Sequence, residues 1–328
     1  MNSYILTGGM DLKIVYMGTP DFSVGALESI IKAGHEVVAV VTQPDKPKGR
    51  SGQMQFSPVK ECALKYNIPV FQPEKVKEPE SVATLREYGA DIFVVAAFGQ
   101  IVSKEILDMP RFGCVNIHAS LLPKYRGAAP INRVIIDGEE NTGVTIMQMD
   151  EGIDTGDMLA KKVVPIDKKE TAESLFDKLA KVGAELIVEV LPKIEAGEIT
   201  PEKQDDSQAC YARMMKKSLG EIDWTKNAVE IERLVRGLNS WPSAYTYFSG
   251  KSVKLWDCDV VESENTGAEP GTIVNVTKDY FDVATGDGIL RINELQLEGK
   301  KRMDTKAFLL GNQWKQGMVL GDYKKGRD

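Results

Sequence analysis

The amino-acid sequence predicts an α/β fold: a doubly wound, mostly parallel sheet followed by a second, smaller β-barrel. Three observations carry that expectation. Short apolar, β-branched runs alternate with helical patterns from Lys13 to Gly197, as parallel strands joined by crossover helices do. The composition turns polar and weakly patterned after Gly197. Beyond that stretch, about five strand-like runs follow one another with turn signals and no intervening helix, the pattern of a small barrel.

Lys13-Ile14-Val15-Tyr16-Met17 is an apolar run ending at Gly18 and reads as a buried strand. A helical pattern follows to Ala33, with Gly34 as its C-cap. Val37 to Val41, Ile92 to Phe98, Cys114 to Ile117, Thr142 to Met149 and Met158 to Pro165 read as further strands. Residues 171–196 form one long amphipathic helix, with Pro192 as a point of interruption. Ala228 to Leu238 is a short helix. The later strands are Tyr245 to Phe248, Val253 to Trp256, Thr272 to Val276, Phe281 to Thr285 and Ile289 to Leu295. The expected division is an N-terminal extension over 1–10, a first domain over 11–197, a linker over 198–220 and a second domain over 221–328.

A doubly wound sheet invites a dinucleotide at its first turn. That turn is Gly18-Thr19-Pro20-Asp21-Phe22-Ser23. It has one glycine and a proline without an N–H, where a pyrophosphate needs G-x-G-x-x-G. NAD is not expected; the turn either redirects the chain or carries an anion at a helix start.

The chain has 328 residues, 42% apolar and 27% charged, as an ordinary globular protein with room for two domains does. No stretch is apolar enough for a transmembrane helix. The N-terminus MNSYILTGGMDLK lacks the basic region and long apolar core of a secretory signal. Cys62, Cys114, Cys210 and Cys258 are widely spaced without a C-x-x-C, and there are two histidines. A cytoplasmic location is therefore expected, and neither a disulfide framework nor a metal site. A net charge of −7 argues against a generic nucleic-acid binder. The charge is uneven, however: residues 211–328 hold 18 Lys+Arg against 17 Asp+Glu, and the remainder hold 23 against 31. That difference fits a second domain that meets a polyanion, and equally two domains of different surface composition. No stripe reads as a dimer face, so a monomer is expected.

The chemistry concentrates in CVNIHASLLPKYRG, residues 114–127. Alternate strand residues share a face, so Asn116, His118 and Ser120 point the same way if the strand persists. Ligands of open α/β sheets gather at the carboxyl ends of strands. Asn donates to an oxygen that becomes negative, and His takes or gives a proton near neutral pH. An imidazole needs a third group to orient it, often a carboxylate. The loop Asp150-Glu151-Gly152-Ile153-Asp154-Thr155-Gly156-Asp157 offers four, and spacing does not choose among them. This set suits acyl transfer to an amine that attacks directly, without a Ser or Cys nucleophile. Cys114 has the parity of His118 but lies deeper in the sheet, as a buried core thiol does.

N-I-H-A-S-L-L-P-K-Y-R-G, with G-T-P-D-F, Q-P-D-K-P-K-G-R, G-V-T-I-M-Q-M-D-E-G-I-D-T-G-D and the later I-D-W, N-S-W-P and A-T-G-D-G-I-L, resembles the 10-formyltetrahydrofolate-dependent formyltransferases. The resemblance runs from about Lys13 to about Leu310. It implies a formyltransferase-like variant of the Rossmann sheet with an OB-like C-terminal barrel. It implies Asn116, His118 and Asp154 as the catalytic residues, so it selects Asp154 among the four acids. It implies 10-formyltetrahydrofolate as formyl donor, held by Ser120, Leu121, Leu122 and Pro123 together with Phe98, Gly99, Gln100 and Ile101. The implied acceptor is the α-amino group of initiator methionyl-tRNA.

On that resemblance, the loop Gln43 to Gly52 matches an insertion that enters the tRNA acceptor stem, with Lys46, Lys48 and Arg50 meeting phosphate or bases. Its composition alone describes a flexible basic loop, and Ser51-Gly52-Gln53 is neutral where the family often carries more basic residues. Arg213, Lys216 and Lys217, with Arg233, Arg236, Lys300, Lys301 and Arg302, are candidates for contacts from the second domain. The nearest rival acceptor is a UDP-4-amino sugar, served by relatives that share the Asn-His-Asp set. A folate- or tRNA-binding protein without catalysis has no use for a carboxylate-supported histidine beside an oxyanion donor.

Overall fold

A computed structural model describes residues 12–48, 53–261 and 267–321. The chain divides into two compact units. The first takes in the described residues up to Gly127, then Asn141–Pro165 and Phe176–Tyr211; the second takes in Ala128–Glu140, Ile166–Leu175 and the residues from Ala212.

The first unit is built on β1 (Lys13–Gly18), β2 (Glu36–Val41), β5 (Val70–Phe71), β6 (Ile92–Ala96), β7 (Cys114–His118), β8 (Asn141–Gln148) and β9 (Met158–Pro165). Their spatial order is β5-β2-β1-β6-β7-β8-β9. The strands from β5 to β7 are parallel and those of β8 and β9 antiparallel. The continuous apolar runs of β1 and β6 are buried, as central parallel strands are. For β8 and β9 the antiparallel pairing follows from chain length, since residues 149–157 are too few for a crossover, which takes about a dozen or more; β7 and β8 are antiparallel although the 119–140 connection is long enough for one. The helices are α1 (Val24–Lys32), α2 (Pro58–Lys65), α3 (Pro79–Glu87), α4 (Lys104–Leu107) and α6 (Ala172–Glu195). A short hairpin of β3 (Lys46–Lys48) and β4 (Gln53–Gln55) stands apart from the main sheet.

Three local details place the site. Gly18 serves a close approach: a Cβ there would lie 2.7 Å from Ser23 Cβ and 3.0 Å from Ala96 O. Ser23 donates to that same carbonyl at 2.5 Å, so the first turn is packed onto β6. Second, β6 ends at Ala96, short of the expected Phe98, because Ala97 takes φ +46 and Gly99 φ +83. Third, α6 passes through Pro192 unbroken. Proline deletes one N–H, and in the last turn that costs a single hydrogen bond; Ala196 still donates to Pro192 O at 3.0 Å. Gly183 on α6 has room only for hydrogen, since a Cβ would meet Ile117 Cγ2 at 2.8 Å, so the helix lies close behind β7.

The second unit is an antiparallel sheet in the order β10 (Ala244–Phe248), β11 (Lys251–Val261), β14 (Ile289–Leu297), β13 (Phe281–Ala284), β12 (Ile273–Val276), with β15 (Met303–Asp304) on β14. Its helices are α5 (Pro130–Asp137), α7 (Ala228–Gly237) and α8 (Thr305–Gly311). Strand β11 outruns the expected Val253–Trp256 because its Asp257 and Asp259 are not breakers here: Asn293 of β14 donates to both, at 2.9 and 2.6 Å. A capping box of Asn227 and Glu230 starts α7. The core centres on Trp314, whose ring lies 4.6–5.1 Å from those of Phe248, Phe281 and Phe308.

Candidate active site

Strand β7 carries Asn116 and His118 to its carboxyl end in the first unit. The hairpin connection between β8 and β9 brings Asp154 to them. Asn116 Nδ2 donates to Asp154 Oδ1 at 3.4 Å. His118 Nδ1 stands 3.6 Å from Asp154 Oδ2, which also accepts Gly127 N at 2.8 Å. His118 is only 6% exposed. Its other nitrogen, Nε2, faces the Tyr125 carbonyl at 3.0 Å. A carbonyl only accepts, so Nε2 carries the hydrogen and Nδ1 is left with a lone pair on the side of Asp154.

The acidic loop is shaped by its own residues. Asp150 Oδ1 accepts from Gly152 N at 3.0 Å and from Thr155 Oγ1 at 2.7 Å. Asp154 takes φ +55, a left-handed conformation that Asp adopts more readily than most residues. Gly156 must be glycine in this geometry, since a Cβ would fall 1.8 Å from Gln148 O.

The segment after His118 is pinned from β8. Thr145 sits opposite His118 in the ladder; its hydroxyl donates to Ser120 O at 2.7 Å and accepts Leu122 N at 3.2 Å. Ser120 Oγ donates to Lys124 O at 2.6 Å. Leu122 is buried against Met147 and Met158, while Leu121 and Pro123 are half-buried. In the neighbouring turn, the Phe98 side chain belongs to the core, and its carbonyl accepts from Thr19 Oγ1 and Gln43 Nε2. Gln100 ties down the 73–76 turn through Val76 N and Pro73 O. Ile101 is 79% exposed. What these two segments offer a ligand is therefore aliphatic surface beside peptide groups.

Cys114 donates its thiol to Ile106 O, and burial pushes that thiol up to about 12, with Asp108 adding to the shift. Such a thiol stays protonated at neutral pH and is no nucleophile.

Lys46 is exposed on β3, and Lys48 pairs with Gln53 across the hairpin. Composition alone reads this stretch as a loop without fixed shape; the structure orders 46–48 against 53–55. Its base is held by Lys60 Nζ, which reaches Asp45 Oδ2 at 2.5 Å and Gln72 Oε1 at 2.8 Å. Arg50 lies outside the described residues, as do residues 1–11. In the second unit Arg213, Lys216 and Lys217 are exposed. Arg236 instead works internally, donating to Glu232 at 2.6 Å and to Glu170 O at 2.9 Å. Arg302 pairs with Glu294 and lies over the Trp256 ring at 4.7 Å.

Residue patterns did not point to the Tyr125 carbonyl, Gly127 N, Thr145 or Gln204. The first two act through the backbone, to which side-chain patterns are blind. Gln204 donates to Asp154 O and Gly156 O, both at 2.8 Å, from a stretch whose polar composition marks it only as a linker.

A family model described as "Formyl transferase" matches residues 12–191, and a second, "Formyl transferase, C-terminal domain", matches 214–313. The fold and the site thus define a formyltransferase of two domains. A methionyl-tRNA formyltransferase of Lachnospira eligens is 55% identical over 315 residues, 95% of this chain and 100% of the relative. One of Agathobacter rectalis is 57% identical over 306 residues, 93% of this chain and 98% of the relative. The chain belongs to the methionyl-tRNA formyltransferase family. Among solved structures, the sugar 3N-formyl transferase WlaRD superposes with a TM-score of 0.65 at 22% identity, over 89% of this chain and 100% of that one. At that identity the likeness is one of fold.

Proposed function

We propose that this protein transfers the formyl group of 10-formyltetrahydrofolate to the α-amino group of initiator methionyl-tRNA, as a cytoplasmic step of translation initiation. The observation that carries the chemistry is the meeting of Asn116, His118 and Asp154 within 3.4–3.6 Å at the end of β7. The donor supplies an electrophilic formyl carbon on a nitrogen leaving group. The apolar faces of Ile101, Leu121 and Pro123, beside the peptide groups of 98–101 and 120–123, suit a flat ring with a polar edge.

Asn116 uses one N–H on Asp154, and its second binds the formyl oxygen as negative charge develops. One such donor is worth roughly 100- to 1,000-fold. The acceptor amine titrates near ~7.7–8 as a free amino acid, and lower once the carboxylate is esterified, so much of it is neutral at pH 7. His118 Nδ1 takes the proton that the amine loses and returns it to the leaving nitrogen, a role worth about 100- to 10,000-fold. Asp154 Oδ2 stabilises the imidazolium in between. The amine adds to the formyl carbon to give a tetrahedral centre; as this collapses the bond to the folate nitrogen breaks and that nitrogen takes the proton from His118. Lys46, Lys48, Arg50, Arg213, Lys216 and Lys217 are assigned to the tRNA backbone.

The test is formyl transfer by the purified protein to two acceptors in parallel, charged initiator methionyl-tRNA and a UDP-4-amino sugar. Product on the tRNA alone is expected. Product on the sugar alone would keep the three residues and remove the tRNA assignment.

A further inference from the structure

Residues 202–211 form a strap along both loops that carry the site. Glu202 and Met158 exchange backbone hydrogen bonds at 2.8 and 2.9 Å. Cys210 O accepts Arg126 N at 2.9 Å, and Cys210 Sγ accepts Tyr125 N at 3.2 Å. Between these anchors lies Gln204. Its Nε2 donates to Asp154 O and to Gly156 O, both at 2.8 Å. Its Oε1 accepts Arg126 Nε at 2.9 Å. Arg126 is 2% exposed, and its Nη2 donates to Asp206 Oδ1 at 2.7 Å.

This arrangement has one orientation. A guanidinium only donates and a peptide carbonyl only accepts, so turning the Gln204 amide over would oppose donor to donor and acceptor to acceptor. The buried Arg126 fixes the amide, and the amide fixes the two carbonyls that flank Thr155. One of those belongs to Asp154, whose left-handed backbone is held in place by what surrounds it. Arg126 also lies between Tyr125, whose carbonyl orients His118, and Gly127, whose N–H binds the Asp154 carboxylate.

We propose that Gln204, set by Arg126, is a positioning residue for formyl transfer: it holds the Asp154 loop so that the carboxylate meets His118 Nδ1. The proposal rests on the reading of Asp154 as part of the reacting set. Gln204→Glu keeps the shape and the acceptor for Arg126 but replaces both donors with a carboxylate oxygen facing two carbonyls. Gln204→Leu removes all three bonds and adds no charge.

The experiment measures kcat and KM for both substrates, and the pH–rate profile, in wild type, both Gln204 variants, Asp154→Asn, and Asp154→Asn combined with each Gln204 change. Thermal melts establish folding. Because displacement by ~1 Å costs about 100-fold, each Gln204 variant should lose kcat on that order with little change in KM and with a displaced acidic limb of the profile. In the Asp154→Asn background, the same changes should have no further effect on kcat. Equal fold-losses in both backgrounds, wild-type kcat in Gln204→Leu, or failure of both variants to fold would each overturn the proposal. A wild-type enzyme that formylates a different amine would sink the acceptor assignment alone, and the same cycle would then be run with that amine.

Discussion

Gly156→Ala offers a perturbation whose size can be worked from the structure. The added Cβ would stand 1.8 Å from Gln148 O, 3.0 Å from Gln148 C and 3.3 Å from Asp150 N. All three are backbone atoms, so no side chain can swing away. Restoring the oxygen contact to 3.0 Å requires the loop and the end of β8 to part by about 1.2 Å, the difference from 1.8 Å. Asp154 is two residues upstream and shares Gln204 with Gly156. A misplacement of ~1 Å at a reacting group costs about 100-fold, and overpacking costs about 1–3 kcal/mol of stability. The expected result is a fall of about 100-fold in kcat/KM for formyl transfer, with a protein that still folds. Gly25→Ala is the control: its Cβ meets Ala184 Cβ at an ordinary 3.7 Å. In α1 it should add about 0.5–1 kcal/mol and leave the rate unchanged. Initial-rate kinetics and urea unfolding read both quantities. A folded Gly156→Ala protein with the wild-type rate would refute the reasoning that the loop's position sets the site.

Asn116→Ala should lower kcat by roughly 100- to 1,000-fold, because it removes the donor proposed for the developing oxyanion; single-turnover transfer measures it. Thr145→Val leaves Leu122 N without its acceptor in a buried place, so urea unfolding should show a loss of about 1–3 kcal/mol. The alkaline limb of stability carries a further prediction. Burial raises the Cys114 thiol from 9.0 to about 12, so the unfolded chain ionises first. Stability from this group is therefore unaffected below pH 9 and falls as pH rises from 9 towards 12. Replacing it in Cys114→Ala should flatten that decline, by about 1.4 kcal/mol per pH unit, when unfolding is compared at pH 8.5 and 10.5. Asp45 works in the opposite sense. The hydrogen bonds from Lys60 and Gln72 hold its carboxyl below the ordinary 3.8. Its contribution to the hairpin base is thus present above that pH and lost as pH falls through the lowered value, which proteolysis of the hairpin between pH 5 and 3 should report.

The strands of the first unit were legible because each is read locally. Met158–Pro165 coincides with the run read from its residues, and Ile14 to Met17 with its apolar stretch. Parallel and antiparallel neighbours were harder, since an apolar run has no direction; the short reach from 149 to 157 held the information for β8 and β9, and nothing in the 119–140 connection held it for β7 and β8. The ends of elements depend on single backbone angles, such as φ +46 at Ala97, which an alanine does not announce. In the site, spacing exposed Asn116 and His118 because a strand imposes a period of two. Spacing did not distinguish Asp154 from the three other acids in its loop; only the family resemblance did. Gln204 was invisible, since its partners are carbonyls 50 and 48 residues away.

Asn116 and His118 stand on an interior strand, flanked by β6 and β8, whereas Asp154 hangs from the turn between the last two strands of the sheet. Seven residue pairs hold β8 to β9 regardless of what connects them. The ladder can therefore outlast a change in the turn, whereas the 3.6 Å approach of Asp154 to His118 cannot. On the proposed reading, the interior strand is the inherited part of the site, and the turn is the part that selection must keep returning to it.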